Sequence, residues 1–332
     1  EQGITSVENL LRKTSTSINA WEKIPHHQKD QLLDSLPSDF YKLLELMTIS
    51  RSRKHITSYY GDKGVGQFPE KNKPDTYNSD IDTKKELLHF RETNELLEAL
   101  ILSVYTPTKY IKEEYKKMYI ERYSLKGKHG GKMNFDTQAN GMIILHRFNL
   151  FKRLESSVYS FEETLRRLLE KIERTEQLLL KGSGNVSEED TDFDNDLDDI
   201  YIEGKYEIDV KHLRVDDYLE DLASDKYIIA EIHKSAKRIL DEQRDQKLKD
   251  LMGILERKVR ETPYNDGNRK VIIFTAFADT ADYLYSSLSE YMKDLGGYSA
   301  CVTGKRVVTN NRNVDSDFNS VLCAFSPISK MK

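Results

Sequence analysis

Four groups of residues in this chain have types and spacings suited to chemistry. Gly127–Gly131 with Lys132 is glycine-rich beside cations, the composition of a phosphate cradle. It lacks the GxxxxGK spacing, no Ser or Thr follows the lysine, and no buried strand precedes it, so it reads as a connector. Asp190, Asp192, Asp194 and Asp196 alternate as calcium ligands do. The central glycine and the closing bidentate glutamate are missing, so a solvated acidic linker is the better reading. Cys301 and Cys323 are the only cysteines and have no CxxC spacing, which argues against zinc and against a disulfide framework. The fourth group is made of cations and hydroxyls: Arg51, Arg53 and Lys54, then Thr275, and then Thr303, Gly304, Lys305 and Arg306. The bland alternative makes Thr275 a turn cap, Gly304 a turn former, and the early cations a solvated or salt-bridged crossing between domains.

Composition limits what these groups can do. The net charge is -5 over 332 residues, so any nucleic-acid site must be a local patch. No apolar stretch reaches the ~18 residues of a membrane span. No basic-then-apolar leader opens the chain, and the cysteine usage suits a reducing, cytoplasmic compartment. The length suits two or three domains.

The elements that must position these residues follow from periodicity. Residues 4–57 read as helices punctuated by Pro25 and Pro37, with Ser38 or Asp39 as a cap and a strand beginning at Met47-Thr48-Ile49. Residues 58–85 read as a glycine- and proline-rich loop. Leu87, Leu88, Leu96, Leu97, Leu100, Ile101, Val104 and Tyr105 form a helical stripe, broken at Pro107. Residues 139–180 carry Leu145, Phe148, Leu154, Val158, Phe161, Leu165, Leu168 and Ile172 at helical spacing without proline, a run of about forty residues or roughly 60 Å. Residues 217–260 form a second such run, with Ile228, Ile232, Ile239, Leu248, Leu251, Leu255 and Val259. Together they predict an antiparallel helical hairpin, joined by an acidic loop over 181–215 whose residues 183–200 should be mobile.

After residue 263 the pattern changes. Lys270–Phe274 is a short, continuous apolar run and predicts a buried parallel strand. Asp279 or Thr280 should cap the next helix, Gly296-Gly297 should end it, and Tyr298–Val302 predicts a second strand. A further helix is expected near Asp317–Phe325. The expected fold class is mixed α and α/β, a long helical hairpin joined to an incomplete parallel α/β lobe.

Several of these segments, in this order, resemble Swi/Snf-type superfamily-two helicase-like ATPases. "KVIIFTAF" at Lys270–Phe277, followed by "ADTADYLYSSL", is similar to the first strand and helix of the family's second RecA-like lobe, and "CVTG" at Cys301–Gly304 to the strand and turn after it. "LLELMTISRSRKHI" at Leu43–Ile56 resembles the end of the first lobe. "DEQRDQKLKDLMGIL" at Asp241–Leu255 resembles the linker helix, and "FKRLESSVYSFEETL" at Phe151–Leu165 a bacterial helicase-related subgroup. Ala276 departs from the family, where glutamine is frequent. The resemblance implies a tail of the first lobe over 1–57, a connector with helices over 58–138, the hairpin over 139–262 and the start of the second lobe over 263–332.

It implies an internal part of an ATP-dependent DNA translocase or helicase. The phosphate loop and acidic box would lie before residue 1 and the arginine-finger motifs after residue 332. ATP and Mg would then be cofactors of the parent protein, and this chain alone would turn over no ATP. Its partners would be the remaining lobes and DNA, touched at phosphates by Arg51, Arg53, Lys54, Thr275, Thr303, Gly304, Lys305 and Arg306. The alternative is a non-enzymatic helical scaffold module.

Overall fold

Each of the two long apolar patterns is cut once, by a short polar stretch that bonds its own backbone. The cuts are visible in a computed structural model that describes residues 6–24, 31–32, 35–47, 73–85, 90–124, 135–187, 207–261 and 267–327. The chain divides into two units, Glu1–Thr76 and Tyr77–Lys332.

In the first unit, α1 (Val7–Glu22) starts where the Ser6 hydroxyl accepts from the Asn9 amide at 3.3 Å. Leu10 and Thr14 share its buried face, one turn apart. A further helix, α2 (Ser38–Met47), follows Pro37, whose carbonyl accepts from the Phe40 amide. Met47, where a strand was expected to begin, closes this helix instead. Thr48 and Ile49 lie outside the described residues, as do Arg51, Arg53 and Lys54.

The helices of the second unit begin with α3 (Phe90–Ala99), the 3-10 turns Ser103–Tyr105 and Pro107–Tyr110, and α4 (Glu113–Ser124). The first predicted forty-residue helix is two helices, α5 (Phe135–Ser156) and α6 (Val158–Lys181). Ser157 is in extended conformation, and its hydroxyl accepts from the Ser160 amide at 3.0 Å, so it caps α6 and ends α5. The second is likewise divided into α7 (Val215–Asp241) and α8 (Gln246–Arg260). There Gln243 turns left-handed and Asp245 caps α8 by accepting from the Leu248 amide. The hairpin proper is therefore α6 and α7. Glu162 meets His233, and Glu176 meets Lys226, so rising numbers on α7 face falling numbers on α6. The pair is antiparallel.

Its core follows from spacing. Phe161, Leu165, Leu168 and Ile172 on α6 face Leu222, Ile229, Ile232 and Ile239 on α7, all fully or almost fully buried. Leu97, Leu100, Leu102 and Tyr105 cover one side. Leu102 holds a left-handed φ of 54°, a costly conformation for leucine. Buried Asp225 of α7 holds it there, accepting from the Ile101 amide at 2.7 Å and from the Ser103 amide and hydroxyl at 2.8 Å.

The loop after α6 is less open at its base than its charge suggested. Asn185–Ser187 (β1) and Glu207–Asp209 (β2) pair antiparallel, with Val186 opposite Ile208, both buried. The outward amides of Glu207 and Asp209 donate to the hydroxyls of Tyr123 and Tyr119 on α4, at 2.9 and 3.1 Å. Two phenols thus stand in for a neighbouring strand. Residues 188–206, with the alternating aspartates, lie outside the described residues.

The last region is α9 (Ala278–Asp294), β3 (Ala300–Val302), β4 (Val307–Thr309) and α10 (Phe318–Phe325). Here the expectation needs its main correction. The described residues are mostly helical with two small antiparallel sheets, and no parallel strand pair occurs among them. Lys270–Phe274 is not a buried strand: it joins no ladder, and Phe274 is 89% exposed. Strand formation needs partners for its amides and carbonyls, and no described segment supplies them. β3 pairs instead with β4 in a hairpin. Gly296, at φ 78°, and Gly297 do end α9, their amides closing on Lys293 and Met292. Phe277, rather than Asp279 or Thr280, holds the cap position of α9.

Candidate nucleic-acid interface

Thr303, Gly304, Lys305 and Arg306 are the tight turn between β3 and β4. The Thr303 amide donates to the Arg306 carbonyl at 2.9 Å. The Thr303 hydroxyl accepts from the amides of Lys305 and Arg306 at 3.4 and 3.1 Å. An added Cβ at Gly304 would meet nothing within 4 Å, so packing does not demand glycine there. Arg306 reaches Asp282 of α9 through Nε at 3.0 Å and through a second nitrogen at 2.5 Å. That pair is well exposed and contributes little, about 0–1 kcal/mol, so the guanidinium exchanges partners readily. Cys301 lies beside the same carboxylate; burial, then Asp282, pushes its thiol pKa up.

Thr275 stands in a different setting. Its hydroxyl lies 3.4 Å from that of Ser156 at the end of α5 and accepts from the Phe277 amide at 3.4 Å. The Thr280 hydroxyl bonds those of Ser156 and Ser157 at 2.8 and 3.0 Å. Beside this row, Arg153, only 1% exposed, pairs with Asp279 at 2.9 Å, reaches Ser160 at 3.2 Å and lies 4.5 Å above the Phe277 ring. Arg167 approaches Asp279 at 3.5 Å. The α5–α6 elbow therefore grips the first turn of α9. One turn on, Tyr283 stacks on Tyr159 with ring centres 4.9 Å apart and donates to Asp245 at 2.9 Å. Burial, then the Asp245 carboxylate, raises its phenol pKa. The α7–α8 turn is itself pinned by Arg244, buried against Asp82 at 3.2 Å.

The structure thus links the sequence candidates through α9: Thr275 through the elbow and Thr280, Arg306 through Asp282. Arg51, Arg53 and Lys54 lie outside the described residues, so their relation to this site is not part of the geometry. Sequence reasoning passed over Arg153, Ser156, Ser157, Asp279 and Thr280 as a cluster. Two adjacent serines inside an apolar helical pattern are a cap signal, and that much was available. Arg153 carried no signal, because its partner lies far away in sequence.

Among the described residues, no group of three or more His, Cys, Asp or Glu side chains is arranged to hold a metal. No described helix is long and apolar enough to cross a membrane. A scan against protein-family models and searches of curated proteins and of solved structures each gave no match.

Proposed function

We propose that this chain is an internal part of an ATP-driven DNA translocase of the Swi/Snf type, carrying the helical protrusion and the opening of a RecA-like second lobe. The observation that carries this reading is the exposed apolar run Val271–Phe274, which sits directly before α9 and β3. Val271 and Ile273 alternate with Ile272 and Phe274, and all four are exposed, at 37%, 41%, 59% and 89%. A segment apolar on both faces suits the middle of a parallel sheet covered by helices. The order apolar run, helix, strand is the order of a doubly wound lobe.

In this reading, remaining strands of the parent lobe flank Lys270–Phe274 and draw it into a sheet. Thr275, Thr303 and Gly304 then lie at the carboxyl ends of strands, where α/β sheets take their ligands. With Lys305 and Arg306 they contact the phosphates of one DNA strand, and Arg51, Arg53 and Lys54 add contacts from the end of the first lobe. Such contacts position the motor without reading sequence. ATP and Mg bind to other parts of the parent.

The test is the intact reading frame and its product. The reading expects GxxxxGK with Ser or Thr upstream, an arginine-rich motif downstream, DNA-stimulated ATP hydrolysis by the intact protein and none by the 332-residue chain. A complete frame without either motif, or an intact protein that hydrolyses no ATP, overturns it. The non-enzymatic scaffold then takes its place, supported by the continuous buried core that α6 and α7 form with the segment from Leu97 to Tyr105.

A further inference from the structure

The contact between the α5–α6 elbow and α9 has charge and hydroxyls at its centre, beside the Tyr159–Tyr283 and Arg153–Phe277 ring contacts. The seam between α6 and α7 is instead apolar inside and carries its ion pairs, Glu162–His233 and Glu176–Lys226, at part-exposed positions. On one side stand Arg153, Ser156 and Ser157; on the other, Thr275, Asp279 and Thr280. Two neighbouring contacts of α9 are polar as well. Tyr283 donates to Asp245, and Tyr291 lies 3.3 Å from Glu256 of α8. A buried ion pair holds geometry well but adds little net stability, because desolvation offsets most of its attraction. Apolar seams lack that compensation and stay closed.

We propose that the α5–α6 elbow is a separable polar joint, on which α9 and the segment attached to it dock and undock as a body while the α6–α7 hairpin stays folded. Arg153 is the fixed half of the joint. Its bond to Ser160 lies on the hairpin side and does not depend on α9, so it remains placed to receive Asp279 and the Phe277 ring when α9 docks. The hydroxyl row of Ser156, Ser157 and Thr280 sets the docking angle, since each of its bonds crosses the same junction. The inference stands on the composition of this interface and does not require the translocase reading.

Amide hydrogen exchange on the whole chain tests it, with wild type, Asp279→Ala, and the double variant Arg153→Met with Asp279→Leu. Removing Asp279 alone leaves a buried cation without its carboxylate, so exchange across Ala281–Tyr291 should rise roughly ten-fold or more. Exchange in Phe161–Leu179 and Tyr218–Ile239 should stay within about two-fold of wild type. The double variant replaces the pair by apolar contact and should return α9 to wild-type protection or better. Three results overturn the joint: unchanged exchange in α9 of Asp279→Ala, hairpin and α9 opening together or failing to fold, or a double variant as open as the single one.

Discussion

Phe161 on α6 and Phe274 before α9 are the same residue in opposite circumstances: one is wholly buried, the other 89% exposed. Around Phe161, α7 faces α6 along its length, and the segment from Leu97 to Tyr105 covers the side. Around Phe274, no ladder partner is present among the described residues, and α10, the most apolar helix of that region, buries none of its residues. The difference teaches that apolar pattern states a demand for partners, and only topology meets it. The hairpin meets its demand within the described residues; residues 267–327 do not. That contrast is the physical ground for reading the latter as part of a larger sheet.

The largest effect should come from the aromatic pair itself. Phe161→Ala should cost about 3–5 kcal/mol in chemical denaturation, whereas Phe274→Ala should stay within about 0.5 kcal/mol. Comparable losses in both would dissolve the contrast. Next comes the polar anchor of the hairpin. Asp225→Ala leaves the Ile101 and Ser103 amides without their acceptor and frees the left-handed Leu102, at roughly 2–3 kcal/mol; a loss under half of that would show that water replaces the carboxylate.

The pH response should come from α5, which packs beside the hairpin. His146 of α5 is buried and stacked on Tyr105 with ring centres 3.7 Å apart. Burial, and then the Lys171 cation, pull its pKa from 6.5 down to about 3. Between those values the unfolded chain takes up a proton that the folded chain refuses. Stability from this group is therefore intact above pH 6.5 and is lost as pH falls toward 3, at about 1.4 kcal/mol per pH unit. His146→Phe, which keeps a ring against Tyr105, should flatten denaturation midpoints between pH 6 and 4. Parallel curves for the two proteins would remove His146 from the account. The smallest effect expected is at the loop base. Tyr123→Phe loses the hydroxyl that serves the Glu207 amide and carbonyl, at about 1 kcal/mol, and should speed exchange at Glu207 while sparing α6.

How much was legible follows the same contrast. Phe161, Leu165, Leu168 and Ile172 declared the buried face of α6 by spacing alone, because apolar side chains bury against any apolar neighbour. On α5 the rule held for Leu154, which is buried, and failed elsewhere. Phe148, part of the expected stripe, is 57% exposed, while His146, Asn149 and Arg153 are buried at helical spacing. A buried polar side chain needs a specific partner. The partner of Arg153, Asp279, is remote in sequence, so periodicity could not show that face. Ser157 and Asp245 were legible as cap residue types but were outweighed by long uninterrupted apolar patterns. For the candidate site, the turn at Thr303–Gly304 could be read from residue types, while the engagement of Thr275 by Ser156 and of Arg306 by Asp282 depends on tertiary placement. The strand expected at Lys270–Phe274 was right about apolarity but assumed neighbours that the described residues do not contain.

The central proposal is that residues 267–327 open a lobe that grips DNA through its phosphates, and a salt series measures it most directly. Binding of short duplex and single-stranded DNA by the chain should be weak, indifferent to sequence, and linear in log affinity against log salt. Replacing Lys305 and Arg306 with alanine, or Arg51 and Arg53, should flatten that slope by about one unit for each phosphate contact removed. Absence of binding at low salt, or slopes identical to wild type in both double variants, would contradict the claim and leave these residues as turn and surface structure.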